Sequence, residues 1–374
     1  MTEPIEPTPE LHSEPEQAKL DFPCKTCGAK TTWDPDKDAL YCEYCESVVE
    51  VPRAEGLIVE RALEDVGDAA RGLGLEVRVA KCSECGARVT YSEASTSELC
   101  LYCGSPSVLA QEANRNAIRP ESLVPLDVGK SQVEQSFQSW LKGLWFRPND
   151  LKKTKTFEAV GLYVPFWTFD CRVHSDWSAD AGYYYYETKT VMRSVNGKMR
   201  PTTKRVRKTR WVPAWGDRND VFDDVLVKAS RGLPDDLVAR LGGFEVQGLV
   251  PYQPHYLAGW RAEEYQVDLE AGWELAQMEV VEVQERRCAG DVPGDTHRRL
   301  KVQNTIRDVR WKHILLPIWS LQYRYGGKPY TVLIHGQTAR IAGKAPYSWI
   351  KILCFSLFCI FVAAALFVGL QGMN

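Results

Sequence analysis

The sequence has no excess of charge of either sign. Its 46 Lys and Arg stand against 49 Asp and Glu, a formal net charge of -3, which excludes a histone-like or polybasic nucleic-acid binder. It also lacks the familiar catalytic signatures. The six His are scattered without HExxH, and no GxSxG is present. Gly129-Lys130-Ser131 is not a phosphate loop, because Val124 stands where GxxxxGK[ST] needs glycine. The N-terminus has neither the basic n-region nor the apolar h-region of a secretory signal. Hydrophobic residues at 44% and charged residues at 25% describe a globular chain rather than a disordered or polytopic membrane one.

Cysteine is what the chain has in plenty. Eight of its 12 Cys form two sets, Cys24, Cys27, Cys42, Cys45 and Cys82, Cys85, Cys100, Cys103, each reading C-x2-C-x14-C-x2-C with an offset of 58 residues. Four thiolates in two such knuckles wrap one divalent ion tetrahedrally, and the spacer suits a hairpin that brings the knuckles together. The expectation is two structural zinc ions per chain; rubredoxin-like iron and a redox CxxC are the alternatives. Gly28, Gly86 and Gly104 directly follow a knuckle, where a backbone close to a metal favours positive φ. No ligand position is left open, so no Lewis acid is expected and the chain reads as a non-enzyme. Cys24 to Glu50 has three basic and six acidic residues and Lys81 to Val108 has two and three, so protein contact is the expected role of the ribbons ahead of nucleic acid.

The expected organisation is α+β. It comprises an acidic Pro-rich tail over 1–22, a ribbon over 23–51, a helical linker over 52–80, a second ribbon over 81–110, an α+β domain rich in aromatic strands over 118–346 and an apolar helix over 350–370. Ser131 to Glu134 reads as a capping box opening one helix, and Asp268 to about Arg287 as a longer one, with Glu270, Glu274, Glu282 and Glu285 on its solvated face. Tyr163, Trp167, Phe169 and Cys171 share one face of a period-2 run, and Ile318 to Tyr325 alternates likewise. Pro165 and Pro317 are expected at strand starts, and Asp223-Asp224 in a turn.

One basic run stands out: Lys189, Arg193, Lys198, Arg200, Lys204, Arg205, Arg207, Lys208 and Arg210, with no acid between 189 and 210, around Asn196-Gly197. It predicts an exposed hairpin. A solvated edge ribbon guarded by charge is one reading; contact with anionic headgroups is the functional one, ahead of nucleic acid. The lipid reading leans on the C-terminal segment. Ile352 to Leu370 is 19 residues without a charge, about the hydrocarbon thickness as a helix. With Lys344 and Lys351 before it, it predicts a single-pass, tail-anchored protein of the cytoplasmic membrane whose bulk faces the cytoplasm.

The paired ribbons are followed by Ile118 to Pro125, Gly143 to Phe146, Val164 to Trp167, Phe222 to Val227, Tyr256 to Trp260 and Leu315 to Trp319. With these motifs the chain resembles a bacterial family of TFIIB-type zinc-ribbon membrane proteins, often labelled primosomal protein N′ (replication factor Y) or superfamily II helicase-like. No helicase motor motif is present. The resemblance implies an adaptor for PspA-like or SPFH-domain stress proteins. The alternative from another class is a nucleic-acid-binding protein linked to replication or transcription.

Overall fold

The computed structural model describes residues 18–19, 22–51, 58–91, 99–151, 157–195 and 198–371, with side chains left out at 18–19, 75–76, 193–195, 198–200 and 365–371. Almost all of the predicted tail, and Asn196-Gly197, lie outside the described residues.

The α+β expectation is corrected to a fold that is mostly β. Three strands dominate it: Glu158–Val195, Lys198–Lys228 and Thr296–Tyr325. They belong to a nine-stranded sheet in which the first pairs antiparallel with the other two and the second forms an edge. The two apolar runs noted above are short pieces of these strands. Between 161 and 169, and again between 311 and 321, every residue is buried, as in a sheet covered on both faces.

Strand alternation decides what covers each face. Leu162, Val164, Phe166, Ile314, Leu316 and Ile318 pack with Cys82, Ala87 and Cys100 of the second ribbon. Tyr163 and Leu315 point the opposite way and pack with Trp33 and Leu40 of the first. On that same side lie helix α1 (Lys130–Gly143), under Trp319 and Leu321, and helix α3 (Leu269–Asp291), under Trp167 and Phe169. The short helix α2 (Asp235–Leu241) joins the second ribbon's side.

Pro165 and Pro317 are not at strand starts but at seams. On one side of the first long strand Arg261–Ala262 pairs with residues 162–163 and the second long strand takes over from Phe166. On the third, Ser122–Leu123 pairs with Ile314 and Leu315, and Lys328–His335 takes over from Ile318. Each missing N–H falls where the neighbour changes and no ladder bond is lost.

Other local expectations shift by small amounts. Helix α1 starts at Lys130 with Gly129 as its N-cap and no side-chain cap, so the capping box does not form. A Cβ on Gly129 would meet the Asp36 carboxylate of the first ribbon at 2.5 Å, which explains the bare cap. The longer helix forms as α3, and Asp268 caps it, accepting from the Ala271 N–H at 2.9 Å. The four glutamates read as its solvated face are all exposed. The linker helix is replaced by a 3-10 turn, Leu63–Asp68, and a short strand, Arg61–Ala62, on the third long strand.

Helix α4, Trp349–Gln371, forms over the predicted apolar segment. Its opening turns are held against the body: Lys351 Nζ donates to Asn149 at 2.6 Å and Trp145 O at 3.2 Å, and Phe355 packs edge-on to Phe146 at 5.3 Å. Among the described residues no helix is long and apolar enough to cross a membrane. The C-terminal transmembrane helix, the tail anchor and the single-pass membrane localisation are therefore corrected.

Candidate metal centres

The four knuckles are copies of one backbone turn. The N–H of the residue after each pair donates to the first cysteine's carbonyl: Gly28 to Cys24 at 2.8 Å, Glu46 to Cys42 at 2.9 Å, Gly86 to Cys82 at 3.0 Å and Gly104 to Cys100 at 2.8 Å. In return Cys24, Cys42, Cys82 and Cys100 donate their N–H to Ala29, Ser47, Ala87 and Ser105. All four turn residues have positive φ, between 59° and 78°. Glycine supplies it three times, as the sequence predicted, and Glu46 supplies it the fourth.

This turn gathers the sulfurs. Cys24 and Cys45 are 3.5 Å apart at Sγ and Cys27 and Cys42 3.6 Å; in the second ribbon Cys82 and Cys103 are 3.7 Å apart and Cys85 and Cys100 3.4 Å. These separations are far longer than a disulfide and close to the edge of ~3.8 Å that a tetrahedron with metal–sulfur bonds of ~2.3 Å has. Both sets therefore fit a four-thiolate metal site, each complete in itself. Ser47 Oγ lies 3.0 Å from Cys24 Sγ and 3.1 Å from Cys45 Sγ, so the first site has an outer hydroxyl partner that steadies its sulfurs.

Both ribbons are built into the body rather than strung beside it. The Trp33 backbone N–H donates to Ala258 O at 2.9 Å and the Trp33 ring packs edge-on to Tyr256 at 4.6 Å. In the second ribbon Gln322 Nε2 donates to Cys100 O at 2.6 Å, Ser320 Oγ donates to Leu101 O, and Arg88 pairs with Glu264 at 2.9 Å.

The repeat is unequal at one place. Cys42-Glu43-Tyr44-Cys45 matches Cys100-Leu101-Tyr102-Cys103, so Tyr44 and Tyr102 are equivalent. Tyr102 is 3% exposed and Tyr44 84%. The Tyr102 hydroxyl donates to Glu263, whose other oxygen accepts from Ser230 Oγ at 2.8 Å. Burial pushes the Glu263 carboxyl up to about 7 against the pull of these two donors. Sequence reasoning missed Glu263, whose partners lie 33 and 161 residues away; the shared C-x-Y-C was the available signal.

A third cluster joins Asp170 to the sequence-noted pair Asp223 and Asp224. These residues lie in the long strands, not in a turn, and Asp224 takes φ 51° opposite a bulge. The cluster already holds a cation: buried Lys312 places Nζ 2.9 Å from Asp224, 3.1 Å from Glu60 and 4.0 Å from Asp170. The ammonium ties the interribbon segment to the sheet.

The basic run forms the predicted hairpin, continuing the first two long strands beyond the third, whose last rung is Gly182 to Thr296. Lys189, Lys204, Arg205, Arg207 and Arg210 are exposed, and Lys208 pairs with Glu187 at 2.5 Å. Arg193, Lys198 and Arg200 lie in the paired strands, with side chains outside the described set.

Comparison with known proteins yields no matching family model. No solved structure matches. Over 258 residues the chain is 24% identical to a Bacillus subtilis (strain 168) protein described as "Uncharacterized protein YdjG", covering 68% of this chain and 69% of that relative.

Proposed function

We propose that the chain is a zinc-bound, non-catalytic scaffold that docks a partner protein through its first ribbon. The observation that carries this reading is the inequality of the two tyrosines. In the second ribbon the knuckle face with Ala87 and Tyr102 is the surface that docks onto the body. In the first ribbon the equivalent face, with Ala29 and Tyr44, looks outward, because that ribbon meets the body through Trp33 instead. An exposed aromatic with a hydroxyl at its tip on a rigid metal turn has the character of an interface anchor. Zinc suits the thiolate sets, and four protein ligands leave no position for a substrate. PspA-like or SPFH-domain proteins, the class implied by the family resemblance, are the first partners to try.

The test is photocrosslinking in cells with p-benzoylphenylalanine in place of Tyr44 and, separately, of Val221, which is 70% exposed on the second long strand. Position 44 should give a discrete adduct with one protein that disappears when Cys42→Ser is added. No adduct at 44, or the same adducts from 221, would overturn the reading.

A further inference from the structure

We propose that the basic hairpin is a duplex-DNA contact that enters the major groove, an inference independent of the scaffold reading. Beyond Gly182 the sheet narrows to two strands, and 13 rungs run from Tyr183–Arg210 to Val195–Lys198, roughly 43 Å at ~3.3 Å per residue. Nine cations and one acid lie between 183 and 211, a local field that the net charge of the chain conceals.

Three features separate this ribbon from an edge guarded by charge. Lys189 sits directly opposite Lys204; like charges on one rung destabilise a hairpin, and edge protection does not require them. A bound polyanion offsets that repulsion. Arg207 lies over the Tyr184 ring at 4.3 Å and Arg205 over Tyr186 at 4.9 Å, so aromatic rings from the neighbouring strand hold two guanidinium groups in place before any ligand arrives.

The third feature is the one that selects the ligand. Residues directly opposite share a face and neighbours along a strand alternate. Arg205 and Arg207 therefore stand on the face of Tyr184 and Tyr186, while Lys204 and Arg210 stand on the other. A lipid surface meets one side of a ribbon. A groove presents phosphates to both, and the major groove of B-form DNA, ~12 Å wide, admits a two-stranded ribbon. The four cations span seven residues of one strand, ~20 Å, or about six base pairs of rise.

The experiment is fluorescence anisotropy of the full-length, zinc-loaded chain with a 30-base-pair duplex of arbitrary sequence, across salt concentrations. Arms with an RNA duplex and with phosphatidylglycerol vesicles run in parallel. Binding to DNA should weaken as salt rises, with a logarithmic slope of about -4. Arg205→Gln with Arg207→Gln, and separately Lys204→Gln with Arg210→Gln, should each lower that slope by about 2. Arg205→Lys with Arg207→Lys should keep it. Near-UV circular dichroism and metal content verify that each variant is folded. Salt-independent or absent DNA binding, one silent face, or tighter binding to the vesicles or to RNA would overturn the proposal.

Discussion

Tyr44 and Tyr102 show how one residue in one turn takes two roles according to what lies opposite it. Tyr102 meets Ser230 and Glu263 and becomes part of the core; Tyr44 meets solvent. The same comparison exposes a flaw in the first ribbon. Glu46 holds φ 59° where the other knuckles use glycine, with its side chain exposed. A side chain in the left-handed region costs about 1–2 kcal/mol, partly balanced by the greater freedom glycine has when unfolded. Glu46→Gly should therefore stabilise the chain by about 0.5–1 kcal/mol, read as a higher urea midpoint with an unchanged slope. A lower midpoint would mean that the Glu46 side chain contributes something its exposure does not show.

At the scale of elements, the second ribbon and the sheet are joined by a buried carboxyl. Because the folded Glu263 titrates near 7, above the ordinary ~4.3 of an unfolded glutamate, its contribution is fully present below that unfolded value. It is lost as pH rises through 7, a swing on the order of 3 kcal/mol. Glu263→Gln keeps an acceptor for Tyr102 and turns an amide N–H toward Ser230 Oγ in place of the oxygen that accepts from it. The difference in urea midpoint between wild type and variant should thus turn in the variant's favour between pH 5.5 and 8; a difference independent of pH would contradict the buried site. The elements legible in the sequence were those set by local chemistry: the two cysteine sets, the three glycine turns, the long helix opening near Asp268 and the basic hairpin. What was not legible depends on contacts distant in sequence. The runs at 161–169 and 311–321 looked like ordinary one-sided strands because the ribbons that cover both faces lie far away in the chain. A helix was expected over the linker 52–80, but Gly67 and Gly72 interrupt its apolar spacing, and Glu60 and Ala62 find partners on the third long strand.

In the whole molecule one sheet lies between two four-cysteine ribbons, each clamped to an opposite face. One ribbon turns its knuckle inward and the other presents it. Metal binding and local folding are coupled in such modules, so the scaffold reading stands or falls with two separate, closed thiolate sites. The most direct measurement is elemental analysis of the purified chain beside its Cys42→Ser and Cys82→Ser variants. The account predicts two zinc ions in the wild type and one in each variant. A single ion per chain, iron in place of zinc, or cysteines paired as disulfides would contradict it.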